Sequence, residues 1–386
     1  MAAIRRDDAF WTSHKAACLA FARFAKTHPD IIGELNVPTA RLAQMAGRDV
    51  DNDTYKAMVA LMNLALAGHE EASREAMRLL ESANTLTRVS WRQVLGIVTQ
   101  EELESAVREY LPYSVHRVRT IEGGTVSGIG ISPTFLRDWT LPEAVKADVA
   151  RTFSDAVTDA TVVLPDRQAA ALMLGLKAKQ FGEEDSRRVV DALMTVLTRP
   201  FEAHEAVRSI DNPLSMLRMN MGREEDVIAA AAESLLAFSG RIKDDEQRRR
   251  FLIEVSKLRA RQVETINRAI ACGLQDFAPY DPEEKRWLRT KLLLLLDSHQ
   301  PSVRQNAAHS LADLVEREAL DFDTELMAAV LFLVSEGAVE DRHAACHVLR
   351  RMTRSSHWDR PEVDDALTRL RNDPSYLVRS RADESL

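Results

Sequence analysis

The sequence predicts an all-α chain, a superhelical solenoid of antiparallel helix pairs with one short β or loop insertion near 112–141. Three observations carry this. Only 6% of the 386 residues are aromatic, while Ala, Leu, Arg and Glu recur throughout, a composition that favours helix over sheet. Helix-forming blocks of about 11 to 18 residues alternate with short polar connections, as stacked antiparallel pairs require. In the last third, a polar turn followed by an Ala-rich helix recurs with a period of about 40 residues.

In chain order, the first expected helix is 9–26, where Phe10, Phe21 and Phe24 share a broad face with Trp11 at its edge, an aromatic cluster suited to closing the first repeat. Asp53 supplies a cap for 53–67. Helices at 70–81 and 166–178 carry early echoes of the repeat, Glu70 to Leu79 and Asp166-Arg167-Gln-Ala169-Ala170. Helices at 100–110, 143–158, 185–197, 261–272 and 361–370 follow from composition and the polar breaks around them. Those at 224–238 and 244–258 open on Glu224-Glu225-Asp226 and Asp244-Asp245-Glu246, acids that complement a helix N-terminus. The 282–297 helix has Asp281 as cap, Pro282 at its first position and Leu292 to Leu296 for its buried side. The apolar run is five residues against the roughly 20 that span a bilayer, so no membrane span is expected. Asp321-Phe-Asp-Thr precedes a helix at 323–335, and helices at 302–316 and 340–353 complete the series.

The repeat is clearest in three segments. Val303-Arg304 leads into Ala307, Ala308 and Leu311; Asp341-Arg342 leads into Ala344, Ala345, Val348 and Leu349; Val378-Arg379 leads into Ala382. The three arginines are 38 and 37 residues apart. With their Asp/Pro turns, these segments resemble HEAT or armadillo-type repeats over about 282–386, more distantly elsewhere. The resemblance implies a right-handed superhelix. It leaves function open, since such arrays serve as carriers, scaffolds, nucleic-acid binders and regulatory subunits.

One region breaks the pattern. Residues 111–141 mix β-branched residues with Gly123, Gly124, Gly128 and Gly130, which predicts either a long loop or a short hairpin, the latter pairing Val115–Ile121 with Thr125–Ile131. The expected organisation is an N-terminal helical array at 1–110, the insertion at 111–141 and HEAT-like repeats at 142–386. The insertion, with His116, Arg117 and Arg119 beside its glycines, is a candidate partner contact.

The chemistry-bearing residues do not converge on a reaction. Gly124 to Gly130 lacks the Gly-Lys-Ser/Thr of a phosphate loop and the βα setting of a dinucleotide fingerprint. Cys18, Cys272 and Cys346 are too scattered for a disulfide framework or a closed zinc site, which fits a reducing compartment. His343 and His347 share a helix face without a third ligand in view, so no metal and no cofactor is expected. HEAT-like DNA glycosylases offer an enzyme analogy, with no catalytic pattern that transfers here.

The net charge of -8 argues against a globally basic coat, but residues 241–261 carry a local excess of positive charge. Arg248, Arg249 and Arg250, joined by Arg342, Arg350, Arg351 and Arg379, are the candidate partner-binding residues. The sequence therefore predicts a non-catalytic cytoplasmic scaffold or adaptor that binds another protein through its curved surface, as a possible member of a larger complex. Its alternatives are DNA or RNA binding through the Arg/Lys face and an enzyme on an atypical helical scaffold.

Overall fold

A computed structural model describes residues 39–46, 52–81, 88–89, 92, 97–115, 119–121, 124–126, 136–137, 139–199, 223–260, 262–354 and 361–383. The expected 9–26 helix, its aromatic cluster and Cys18 lie outside them. The chain divides into two units, one of residues 1–115 and 129–149 and one of residues 116–128 and 150–386.

In the first unit, helices α1 (Thr39–Ala46), α2 (Asn52–Leu66) and α3 (Glu70–Leu80) pack on one another, and α4 (Gln100–Tyr110) follows. Leu42, Ala57, Leu61, Leu64 and Ala72 are fully buried. The short α1 was not expected from the sequence. Helix α2 begins at Asn52, which puts Asp53 inside its first turn instead of at the cap. Helix α4 starts with a reciprocal capping box, Thr99 accepting from the Glu102 amide and Glu102 from the Thr99 amide, which satisfies two otherwise orphaned donors. The boundary between units falls within α5 (Glu143–Thr158).

The second unit begins with a hairpin, β1 (Arg119–Ile121) antiparallel to β2 (Gly124–Val126), Arg119 opposite Val126. Apart from Gly124, its strands fall within the two segments expected to pair, of which residues 116–118 and 127–131 lie outside the described residues. Next come α6 (Leu164–Leu176) and, among the described residues, five pairs: α7 (Glu183–Leu197) with α8 (Glu224–Ala237), α9 (Asp245–Ala260) with α10 (Glu264–Gly273), α11 (Pro282–Leu296) with α12 (Pro301–Glu316), α13 (Thr324–Glu336) with α14 (Val339–Arg354), and α15 (Pro361–Arg371) with α16 (Tyr376–Asp383). This is the helix-pair architecture of HEAT and armadillo repeats. Asp281 caps α11 by accepting from the Glu284 amide at 2.8 Å. Asp323, and not Asp321, caps α13, accepting from the Glu325 and Leu326 amides.

Second helices stack in a row, α6, α8, α10, α12, α14 and α16, and they pack more closely on one another than the first helices do. Small residues make this possible. Val303, Ala307, Ala308 and Leu311 are fully buried, and so are Ala345, Cys346, Val348 and Leu349. Ser234 of α8 donates to the Ala171 carbonyl at 2.8 Å, and Ser310 of α12 donates to the Ala271 carbonyl at 2.5 Å, so buried hydroxyls tie one second helix to the one before it.

Gly175 of α6 marks a close approach between second helices: a Cβ there would lie 2.8 Å from the Ser234 Cα. An alanine inside a helix ordinarily gains about 1 kcal/mol over glycine, but here the collision with backbone reverses the sign. Gly175→Ala is expected to lose about 1–3 kcal/mol of stability, read from the urea midpoint, with Gly182→Ala, open within 4 Å, as the control.

Candidate functional site

The repeats dispose of most of the candidate arginines internally. Arg304 donates to the Ser298 carbonyl at 2.7 Å and to both Asp341 oxygens at 3.2 and 2.6 Å. Arg342 does the same one repeat later, to the Gly337 carbonyl at 2.8 Å and to Asp373 at 2.6 and 3.1 Å. That pairing raises the Arg342 pKa and holds the Asp373 carboxyl below its ordinary value. Arg379 ends the ladder on the Asp373 and Pro374 carbonyls. Arg350 donates to the Arg381 carbonyl at 2.8 Å, and Arg351 pairs with Glu316.

Arg248 departs furthest from a surface role, and the expectation that it meets a partner is corrected here. It is buried, with 4% of its surface exposed. It pairs with Glu284, donates to the Ser239 carbonyl and to the Ala278 carbonyl at 2.7 Å, and lies over the Phe277 and Tyr280 rings. A guanidinium has five donors in a fixed fork, and this site uses four of them to lock the connection between α10 and α11 onto α9.

Arg249 and Arg250 stay exposed, with no hydrogen bond or ion pair among the described residues. They sit on opposite flanks of α9, each in a different cleft of the first-helix row. Arg250 lines a polar cleft toward α7, with Asp191, Thr195, Thr198 and Asp244, where Gln247 donates across to Asp191 at 2.8 Å. Arg249 lines a larger cleft, about 650 Å³, between α9 and α11. Its apolar part is Leu252, Ile253 and Trp287. The Trp287 indole N–H donates to the Ser256 hydroxyl at 3.1 Å, its ring packs 5.2 Å from that of Phe277, and the Lys291 ammonium lies over it. Ile253 is 47% exposed. The buried face of α9 is Phe251, Val255 and Leu258, so Ile253 lies off that stripe. That misplaced large aliphatic is the sequence signal that could have located the cleft.

Two titratable clusters lie in the second-helix row. His309 of α12 faces His347 of α14 with ring centroids 5.2 Å apart, and the Arg381 guanidinium is 2.6 Å from His347 Nδ1. Because arginine cannot accept, Nδ1 accepts and the proton of neutral His347 sits on Nε2. Burial, then Arg381, His309, Arg351 and His343, push the His347 pKa down to about 4. Burial, His343 and Arg381 lower that of His309 against the opposing pull of Asp313. In the unfolded chain these rings take protons near pH 6.5. The contribution of His347 to stability is therefore complete above about pH 6.5 and is lost as pH falls toward 4, and the lowered pKa of His309 acts in the same direction. After discounting for solvent screening, the loss is expected to reach about 1–2 kcal/mol. Denaturation midpoints between pH 7.5 and 4.5 should fall less steeply for His347→Gln than for the parent.

Between α8 and α10, burial and the neighbouring Glu233 push the Cys272 thiol up to about 12. This thiol stays protonated, which is the opposite of what a nucleophile requires. Among the described residues no group of three His, Cys, Asp or Glu side chains is placed to hold a metal ion, and no helix is long and apolar enough to cross a membrane. Within the insertion, Arg119 and Gly124 belong to the hairpin strands, whereas His116, Arg117, Gly123, Gly128 and Gly130 lie outside the described residues.

No protein-family model and no curated protein matches the chain. The similarities are to solved structures of helical repeat proteins. The designed armadillo repeat protein YIII(Dq)4CqI is 17% identical over 61% of this chain and 96% of its own, with a TM-score of 0.36. Computationally designed armadillo repeat proteins for modular peptide recognition give 15% identity over 61% and 96%, with a TM-score of 0.34. A Kap121p mutant gives 14% identity over 98% of this chain and 37% of its own, with a TM-score of 0.41. The fold assignment rests on the helix pairing described above.

Proposed function

We propose that this HEAT/armadillo-like helical repeat chain is a non-catalytic scaffold that binds a segment of another protein in the cleft between α9 and α11. The carrying observation is the cleft itself: an exposed Ile253 facing a Trp287 that is fixed by Ser256 and Phe277. A rigid aromatic wall with a wet polar end loses little side-chain entropy on contact, which is why such residues anchor protein interfaces. Five of the seven candidate arginines are committed to bonds within the chain, so few of them remain to neutralise phosphates. This favours a protein over a nucleic-acid partner. The reading takes an adaptor role in the cytoplasm and keeps the 111–141 insertion as a second proposed contact.

The test is a photo-crosslinking amino acid placed at position 253 and, as a control, at Phe332, which is 60% exposed on α13. Irradiation in cell extract, followed by mass spectrometry, should yield an adduct from position 253 that is absent from position 332. Identical adduct patterns, or an adduct with nucleic acid alone, would overturn the reading.

A further inference from the structure

The apolar part of the α9–α11 cleft opens at one end onto carboxylates. Asp245 and Glu283 line it, exposed and without an ion-pair partner among the described residues, and Asp281 lines it with one oxygen used for the cap of α11. Set against these three acids is Arg249, because Lys257 is paired with Glu254 at 2.8 Å and Arg248 with Glu284. The N-termini of α9 and α11 add roughly half a positive charge each. The mouth therefore keeps a net negative charge of about one, beside an apolar floor.

Resting on the scaffold reading, we infer that this cleft takes an extended protein segment in which large apolar side chains follow lysine or arginine. The apolar side chains cover Ile253, Leu252 and the free part of Trp287, and the cations lie at the first turns of α9 and α11. Charge complementarity selects the occupant: an acidic segment would bring like charges to Asp245 and Glu283, while a purely basic one would leave Ile253 wet.

Three fluorescein-labelled synthetic peptides in Gly/Ser flanks test this on the full chain by fluorescence polarisation: Lys-Lys-Gly-Leu-Leu, Glu-Glu-Gly-Leu-Leu and Lys-Lys-Gly-Gly-Gly. The first is expected to bind about tenfold more tightly than either of the others at about 50 mM salt, and to weaken as salt rises. Ile253→Ser changes an exposed side chain and should leave circular dichroism and melting unaltered. The double variant Asp245→Asn/Glu283→Gln removes one acid from each helix start and should lower the melting midpoint slightly with the circular dichroism unchanged. Each is expected to weaken the first peptide about fivefold. Equal or tighter binding of the acidic peptide overturns the inference, and so does binding of the first peptide that neither variant changes, or no binding at all. Should the acidic peptide bind and Ile253→Ser weaken it, the cationic preference falls while the scaffold reading stands. The scaffold reading fails separately, through the crosslinking at position 253.

Discussion

Replacing Arg248 with alanine is expected to destabilise the repeat unit by about 3–5 kcal/mol, the range for removing one partner of a buried ion pair. Glu284 is 6% exposed, and without the guanidinium its carboxylate would be left charged in the interior. It would keep only the Tyr280 amide, which donates to it at 2.6 Å. The Ser239 and Ala278 carbonyls would lose a donor as well. Arg249→Ala and Arg250→Ala, one and two residues away but exposed, should stay within about 0.5 kcal/mol of the parent. A double variant, Arg248→Met with Glu284→Leu, removes both charges and should recover much of the loss. Urea midpoints of the four variants provide the measurement. If Arg248→Ala melts like Arg249→Ala, the buried assignment is wrong.

Asp341→Ala is the second large effect, expected at about 3 kcal/mol or more. The carboxylate is completely buried. It accepts twice from Arg304 and once from the Ala338 amide at 3.1 Å, so it caps α14 and joins that helix to the preceding repeat together. Its removal leaves Arg304, whose side chain is 18% exposed, facing a void. Asp341→Asn keeps the cap geometry without the charge and should cost clearly less. Because each repeat of an array contacts mainly its neighbours, hydrogen exchange should accelerate first in α12, α13 and α14, with α6 and α8 little changed. Uniform acceleration would contradict a ladder acting locally.

These two side chains also show how far the sequence could be read. The spacing of Arg304, Arg342 and Arg379 announces the repeat, since a residue recurring at about 40 marks a recurring structural task. What the spacing leaves open is the direction in which each guanidinium turns. Arg248, Arg249 and Arg250 are adjacent in sequence and about 100° apart on a helix, so one is buried, one faces the cleft toward α11 and one faces the cleft toward α7. Local charge counting treats the three as one patch. The acids that open α9 and α11 read as favourable helix starts; their gathering around one apolar cleft depends on α9 and α11 lying side by side.

The sequence by itself determined most of the described helices, α1 excepted, several of their caps and the repeat that pairs them, because propensity, capping and the spacing of small residues are local properties of the chain. Only the tertiary structure decided which arginines are structural and which are free, where Ile253 and Trp287 meet, and why His347 resists protonation. Those properties depend on neighbours tens of residues away, such as Glu284 for Arg248 and Arg381 for His347. Burial and electrostatics act through distance in space, and the stacking of successive pairs fixes that distance.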